Sequence, residues 1–230
     1  MPAETLSRFP LAVIVAAQFL GTSLWFSVNG VGLSLGQELG LTETDLGRLT
    51  IATQAGFILG TLALAATGLA DRFRASRVFA VAAVLGALIN GAFVLVAWQP
   101  AAALVMRFAT GLCLAGIYPL GMKLVISWTP RHTGAALAWL VGMLTLGTAF
   151  PHLMRAISPG WGWQPVVLAS SVLAITAGLM IARLGDGPGL PATGRFDWGG
   201  VIRSFREPRF RAVALGYFGS RWEVYAVGAL

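Results

Sequence analysis

The chain has 230 residues, of which 57% are hydrophobic and 11% charged, whereas roughly a quarter are charged in an ordinary soluble domain. Its net charge of +7, from 16 Lys+Arg against 9 Asp+Glu, does not indicate a nucleic-acid partner, because the basic residues sit between apolar blocks instead of on a soluble basic face. The single cysteine, Cys113, excludes an intramolecular disulfide and a cysteine metal cluster.

The apolar residues come in blocks of about 20, the length a helix needs to cross a hydrocarbon core of roughly 30 Å. In chain order the predicted spans are Pro10 to Val31, Leu46 to Ala70, Val78 to Trp98, Ala101 to Trp128, Thr133 to Leu153, Gln164 to Ala182 and Ala212 to Leu230. The short stretch Met1 to Arg8 leads into the first span without an A-x-A-like cleavage site, so that span reads as a retained helix. Turn residues or charge mark the breaks, as at Gln99-Pro100, Thr129-Pro130-Arg131-His132 and Ser158-Pro159-Gly160. The expectation is an all-α integral membrane fold: a six-helix N-terminal bundle over 1–182, a linker over 183–211, and a seventh helix over 212–230. With no flanking anchor after Leu230, the seventh span reads as truncated.

Loop charge predicts orientation, since cytoplasmic loops carry the excess of Lys and Arg. With the N-terminus inside, eleven arginines (8, 72, 74, 77, 131, 183, 195, 203, 206, 209 and 211) are cytoplasmic, and only Arg48 and Arg155 lie outside. A multi-pass protein of the cell (inner) membrane with a cytoplasmic N-terminus is the implied topology. The first and seventh spans also carry similar triplets, Leu20-Gly21-Thr22 and Phe218-Gly219-Ser220, 198 residues apart, which is the spacing of one six-helix unit plus the long loop.

On the first span, Gln18, Thr22, Trp25 and Asn29 are spaced by four, three and four, placing them on one stripe. A cavity-lining face and helix-to-helix hydrogen bonding both account for such a stripe. On the second span, Gly56 and Gly60 are four apart, a spacing that lets backbones approach closely, and they read as packing residues.

Between the second and third spans the chain reads Thr67-Gly68-Leu69-Ala70-Asp71-Arg72-Phe73-Arg74-Ala75-Ser76-Arg77. This resembles the loop signature of the major facilitator superfamily, Gly-x-Leu-Ala-Asp-Arg-x-Gly-Arg-Arg. The match holds at Leu69, Ala70, Asp71 and Arg72, with Arg77 standing for the last basic residue; Thr67 and Arg74 replace glycines and Ala75 an arginine. The resemblance implies that Asp71 and Arg72, with Arg77, form a charged latch on the cytoplasmic face. A plain positive-inside loop is the other account.

The fourth span carries Arg107, which costs at least roughly 2.5 kcal/mol in a bilayer and so needs a wet cavity or a partner. An arginine followed four residues later by glycine in this helix is also similar to that superfamily, where it is associated with proton coupling or substrate binding; Arg107 and Gly111 match it. At helical spacing Arg107, Gly111, Leu114 and Tyr118 share a face, and the alternative is that Arg107 snorkels outward. Lys123, about 160° round from Arg107, reads as a snorkelling anchor, and Pro119 as a loosening of the helix near residue 115. The fifth span has Gly142, Gly147 and Pro151 without the Gly-Pro-Gly pattern of the superfamily's drug/proton antiporters. His132 and His152 flank spans as loop residues, and Arg221 and Glu223 lie close together in the seventh span, suggesting mutual neutralisation or pairing with a further helix.

The resemblance implies a secondary active transporter that moves a small solute by alternating access, coupled to a proton or another ion, with the lipid bilayer as solvent and no cofactor. A cation inside the membrane biases the solute toward an organic or inorganic anion. A multidrug or metabolite efflux carrier of the same fold, and a non-transporting scaffold or receptor, are the alternatives. An enzyme is not expected, because a bilayer-embedded one needs a nucleophile with its base, or a metal cluster, and the chain offers two loop-flanking histidines, one cysteine and no H-E-x-x-H.

Overall fold

The computed structural model describes residues 3–130, 132–143, 146, 162–190 and 203–216, all helix, turn or loop with no strand among them. The chain divides into two compact units, 1–194 and 195–230.

In the first unit the helices are α1 (Ala3–Phe26), α2 (Gly32–Leu39), α3 (Glu43–Thr67), α4 (Leu69–Arg72), α5 (Ala75–Val96), α6 (Pro100–Trp128), α7 (Thr133–Met143) and α8 (Trp163–Leu184). Five of them, α1 (from Phe9), α3, α5, α6 and α8, are long and apolar enough to cross a membrane. The described part of α7 is apolar but shorter, and the remainder of that predicted span lies outside the described residues. Only 22–44% of each crossing window is buried within the protein, so most of these apolar surfaces need lipid or further protein as their solvent.

Helix ends follow the local chemistry. Thr42 and Asp45 form a reciprocal capping box at the start of α3, with Asp45 N donating to Thr42 Oγ1 at 3.3 Å and Thr42 N donating to Asp45 Oδ2 at 3.1 Å. Gly40 and Gly68 end α2 and α3 in the left-handed region, at φ 66° and 62°, where a side chain is disfavoured. The first span departs from expectation: α1 stops at Phe26, five residues before Val31, and the chain turns through Ser27 and Val28 into a 3-10 turn over Asn29–Val31 before α2. Helix α6 runs through Pro119 to Trp128 without interruption.

Helix α6 is the hub. Helices α1, α3 and α5 pack against it, and α1 and α5 also pack against α8, so α1, α6, α5 and α8 close a ring with α3 on the flank of α6. One apolar core inside the ring gathers Ile14, Leu24, Phe79, Leu114, Ile117 and Ile181. A second, around Val31, Leu35, Leu49, Phe93 and Trp163, closes the end where α2 lies, and there the Phe93 and Trp163 rings meet edge to face at 6.0 Å.

Close helix approach rests on missing side chains. A Cβ at Gly56 would collide with the Phe108 carbonyl, and one at Gly111 with the Thr53 carbonyl, so α3 and α6 touch backbone to backbone. Gly60 continues the seam against Leu112 and Ala115.

The second unit is described over 203–216, helical at 203–206 and 208–216. Helix therefore begins before Ala212, because Pro208 suits a first helical position while breaking the turn ahead of it. Phe205 and Phe210 meet edge to face at 5.2 Å, and Arg206, Arg209 and Arg211 are exposed.

Candidate functional site

Arg107 is fully buried. Its Nη1 donates to Asn90 Oδ1 at 3.0 Å, Ser27 Oγ at 3.3 Å and Leu24 O at 3.4 Å, and its Nη2 donates to Trp25 O at 3.2 Å. Leu24 and Trp25 belong to the last turn of α1, whose carbonyls lack partners further along the helix and carry the negative end of its dipole. The break after Phe26 thus has a physical companion: the guanidinium crosses from α6 and caps the end of α1. No carboxylate pairs with Arg107 among the described residues, so neutral oxygens and a helix terminus hold it, and its Nε has no hydrogen-bond partner there.

Asn90 completes the cluster. Its Oδ1 also accepts from Ser27 Oγ at 2.9 Å, while its Nδ2 donates to Ser171 Oγ at 3.0 Å and Val167 O at 3.1 Å. One amide on α5 therefore joins the end of α1, α6 and α8. Sequence reasoning passed over Asn90, Ser27 and Ser171, although Asn90 carried a signal as the only polar side chain between Val78 and Val96.

The stripe on α1 divides among different surroundings. Gln18 is fully buried against α6 at Gly121, where any Cβ would strike its amide oxygen, and neither Oε1 nor Nε2 has a partner among the described residues. Thr22 is also buried and spends its hydroxyl on its own helix, donating to Gln18 O at 2.8 Å. Half-buried Trp25 packs on Phe57 of α3 with ring centroids 4.7 Å apart, and Phe57 lies 6.4 Å from Tyr118 of α6. Asn29 is exposed at the 3-10 turn, with Thr50 Oγ1 3.4 Å from its Oδ1. The structure thus gathers Trp25 and Tyr118 around Phe57, which the sequence did not single out. It places Gly111 in the α3 seam and aims Arg107 at α1 and α5.

At the opposite end, Asp71 on α4 is paired with Lys123 of α6: Nζ lies 2.7 Å from Asp71 Oδ1 and 2.6 Å from Ala70 O. Lys123 is therefore bound to the loop signature, beyond the anchoring role the sequence suggested. Arg72 and Arg77 are exposed and form no ion pair among the described residues. A second tie had no signal in the sequence. Asp186, just beyond α8, accepts from Ser76 N at 2.7 Å at the start of α5 and pairs with Arg74 at 3.4 Å. Ser127 at the end of α6 holds the same segment through Gly187 N and Gly189 N. His132 is exposed ahead of α7, while His152, Arg221 and Glu223 lie outside the described residues.

Apolar helices of spanning length, a buried cation bonded across several of them and a charged loop at one end define a polytopic α-helical membrane protein. The sequence profile of the Major Facilitator Superfamily matches residues 12–229, nearly the whole chain, and the chain belongs to that family. It is 29% identical over 178 residues to the niacin transporter of Acinetobacter baylyi, covering 71% of this chain and 37% of that protein. It is 31% identical over 186 residues to the 4-hydroxybenzoate transporter of Pseudomonas putida, covering 77% of this chain and 40% of that protein. The chain thus spans roughly two fifths of the length of these relatives.

Proposed function

We propose that this chain forms the first bundle of a secondary active carrier for a small organic anion, a single aromatic ring bearing a carboxylate. The observation that carries the reading is the buried Arg107, a cation with no carboxylate partner among the described residues. An uncompensated charge in a low-dielectric interior lowers the energy of an anion nearby far more than it would in water. Trp25, whose carbonyl accepts from Arg107, offers an apolar ring face together with Phe57 and Tyr118, a surface suited to a planar aromatic solute. Both relatives are named for solutes of this chemistry, niacin and 4-hydroxybenzoate.

In this reading Arg107 supplies the positive potential from behind Trp25, and Gln18, whose amide has no partner among the described residues, bonds the solute when α1 and α6 separate. Thr22, Gly111 and Asn29 act around that site from separate places: Thr22 buried on α1, Gly111 in the seam of α3 and α6, and Asn29 exposed at the 3-10 turn. Alternating access then rocks this bundle against a second one, coupled to a proton or another ion, with the Asp71 and Lys123 pair, Arg72 and Arg77 latching the cytoplasmic end. The domains are the bundle over 1–182, a cytoplasmic linker over 183–211 and a seventh transmembrane helix from 212, whose sequence carries Arg221 and Glu223. The N-terminus is cytoplasmic and the membrane is the inner one.

The test is uptake of radiolabelled 4-hydroxybenzoate and nicotinate into proteoliposomes holding the complete carrier. Saturable uptake is expected, abolished by Arg107→Ala and weakened by Phe57→Ala while both variants still insert. Wild-type uptake by Arg107→Ala removes the reading.

A further inference from the structure

Helices α3 and α5 both lie on α6 and hardly touch each other, which leaves a trough of about 550 Å³ between them. Its floor is Leu112, Cys113 and Gly116 of α6, and its walls include Leu64 of α3 and Leu85 of α5. Gly116 lets α5 pack closely on α6 beside it, since a Cβ there would press on Ala82 of α5. The trough lies on the far side of α6 from the aromatic cluster, since Cys113 is about 140° round the helix from Tyr118 at 100° per residue. The lining is apolar along its length and polar at one end only, where Thr67 and Arg77 stand at the mouth. Arg77 is exposed and, like neighbouring Arg72, forms no ion pair among the described residues.

We propose that this trough binds one acyl chain of an anionic phospholipid whose phosphate is held by Arg77. A dry channel with a single cationic end matches an amphipathic ligand whose head is negative and whose tail is hydrocarbon. From Arg77 to Leu85 the wall of α5 runs eight residues, roughly 12 Å, so the trough takes part of one leaflet's chain and does not cross the bilayer. Exposed Arg72 adds to the positive potential at the mouth, and basic residues at a membrane surface draw anionic headgroups. Asp71, the nearest carboxylate in the loop, is occupied by Lys123 and leaves that potential in place. The site shares Arg77 with the latch proposed above, but thiol protection and lipid retention are read without transport, so it survives failure of the carrier reading.

Cys113, the only cysteine, reports on the floor of the trough. The experiment is the rate of its alkylation by N-ethylmaleimide in the delipidated full-length protein, before and after adding phosphatidylglycerol or phosphatidylcholine. Phosphatidylglycerol is expected to slow the reaction about fivefold more than phosphatidylcholine, and Arg77→Gln to abolish the difference. Native mass spectra of the same samples are expected to retain phosphatidylglycerol on the wild type and not on Arg77→Gln. Equal protection by the two lipids, or equal retention by the two proteins, overturns the proposal. So does a thiol already blocked in the lipid-free protein, because another part of the polypeptide then covers the trough.

Discussion

Asn90 Oδ1 accepts hydrogen bonds from Arg107 Nη1 at 3.0 Å and from Ser27 Oγ at 2.9 Å, so a single amide oxygen on α5 connects the cation of α6 to the broken end of α1. Removing it strips the guanidinium of its shortest bond in a fully buried place. Asn90→Ala is expected to destabilise the protein by about 2 kcal/mol, the range for hydrogen bonds to charged groups, seen as a lower melting temperature in detergent. Ser171→Ala, which removes one acceptor of the Asn90 amide, is expected to cost less, about 0.6 kcal/mol. Because both belong to one network, the double variant should fall short of the sum. Strict additivity would mean the network is not a unit.

The glycines separate into two groups with opposite expectations. Gly56→Ala and Gly111→Ala each drive a methyl group into a facing backbone carbonyl that cannot yield without moving a helix. Each is expected to cost about 2 kcal/mol through forced separation of α3 and α6. A methyl group at Gly142 on α7 would meet nothing within 4 Å among the described residues, so Gly142→Ala is expected to be neutral or to stabilise by about 0.5 kcal/mol through lower chain entropy. Melting temperatures of the three variants check the contrast, and a neutral Gly56→Ala would break the account of the seam.

The spans were legible in the sequence because lipid imposes a length and an apolarity on any helix that crosses it, and α3, α5, α6 and α8 begin or end within three residues of the apolar blocks. The end of α1 was not legible at Val31, because the residue that stabilises the break, Arg107, is about 80 positions further on. Arg107 itself stood out as a charge in an apolar run. Its helical face suggested Tyr118 as a companion, yet the long side chain reaches sideways to carbonyls of another helix. Thr22 looked like cavity lining by spacing, but a hydroxyl in a helix can always bond back to its own turn, and this one does. Asp71 was found through its motif, and its partner Lys123 was visible only as a lone cation, since nothing in the spacing brings residues 52 apart together.

Asp186 takes the place of the missing N-terminal cap on α5, whose own cap residue, Arg74, offers no acceptor. Asp186→Asn removes the charge from that cap and from the pair with Arg74, while Asp186→Ala removes both bonds. The alanine variant is expected to lose about 1 kcal/mol locally, the usual worth of a cap. Hydrogen exchange at the Ser76 amide should then be about fivefold faster, with the amides near Asn90 unchanged. Acceleration spread evenly along α5 would show instead that Asp186 supports the whole bundle.

Lys123 and Asp71 form a short bond at 2.7 Å, but their side chains are 25% and 43% exposed, so water screens much of the attraction. A double-mutant cycle with Lys123→Met and Asp71→Asn is expected to give a coupling of about 0.5 kcal/mol, shrinking as salt is raised. Lys123 also bonds Ala70 O at 2.6 Å, a contact that Asp71→Asn leaves intact. Lys123→Met should therefore cost more than Asp71→Asn, because it releases both the carboxylate and the carbonyl that hold α4 against α6. If the two single variants cost the same, the carbonyl contact contributes nothing and the tie between α4 and α6 is the ion pair alone.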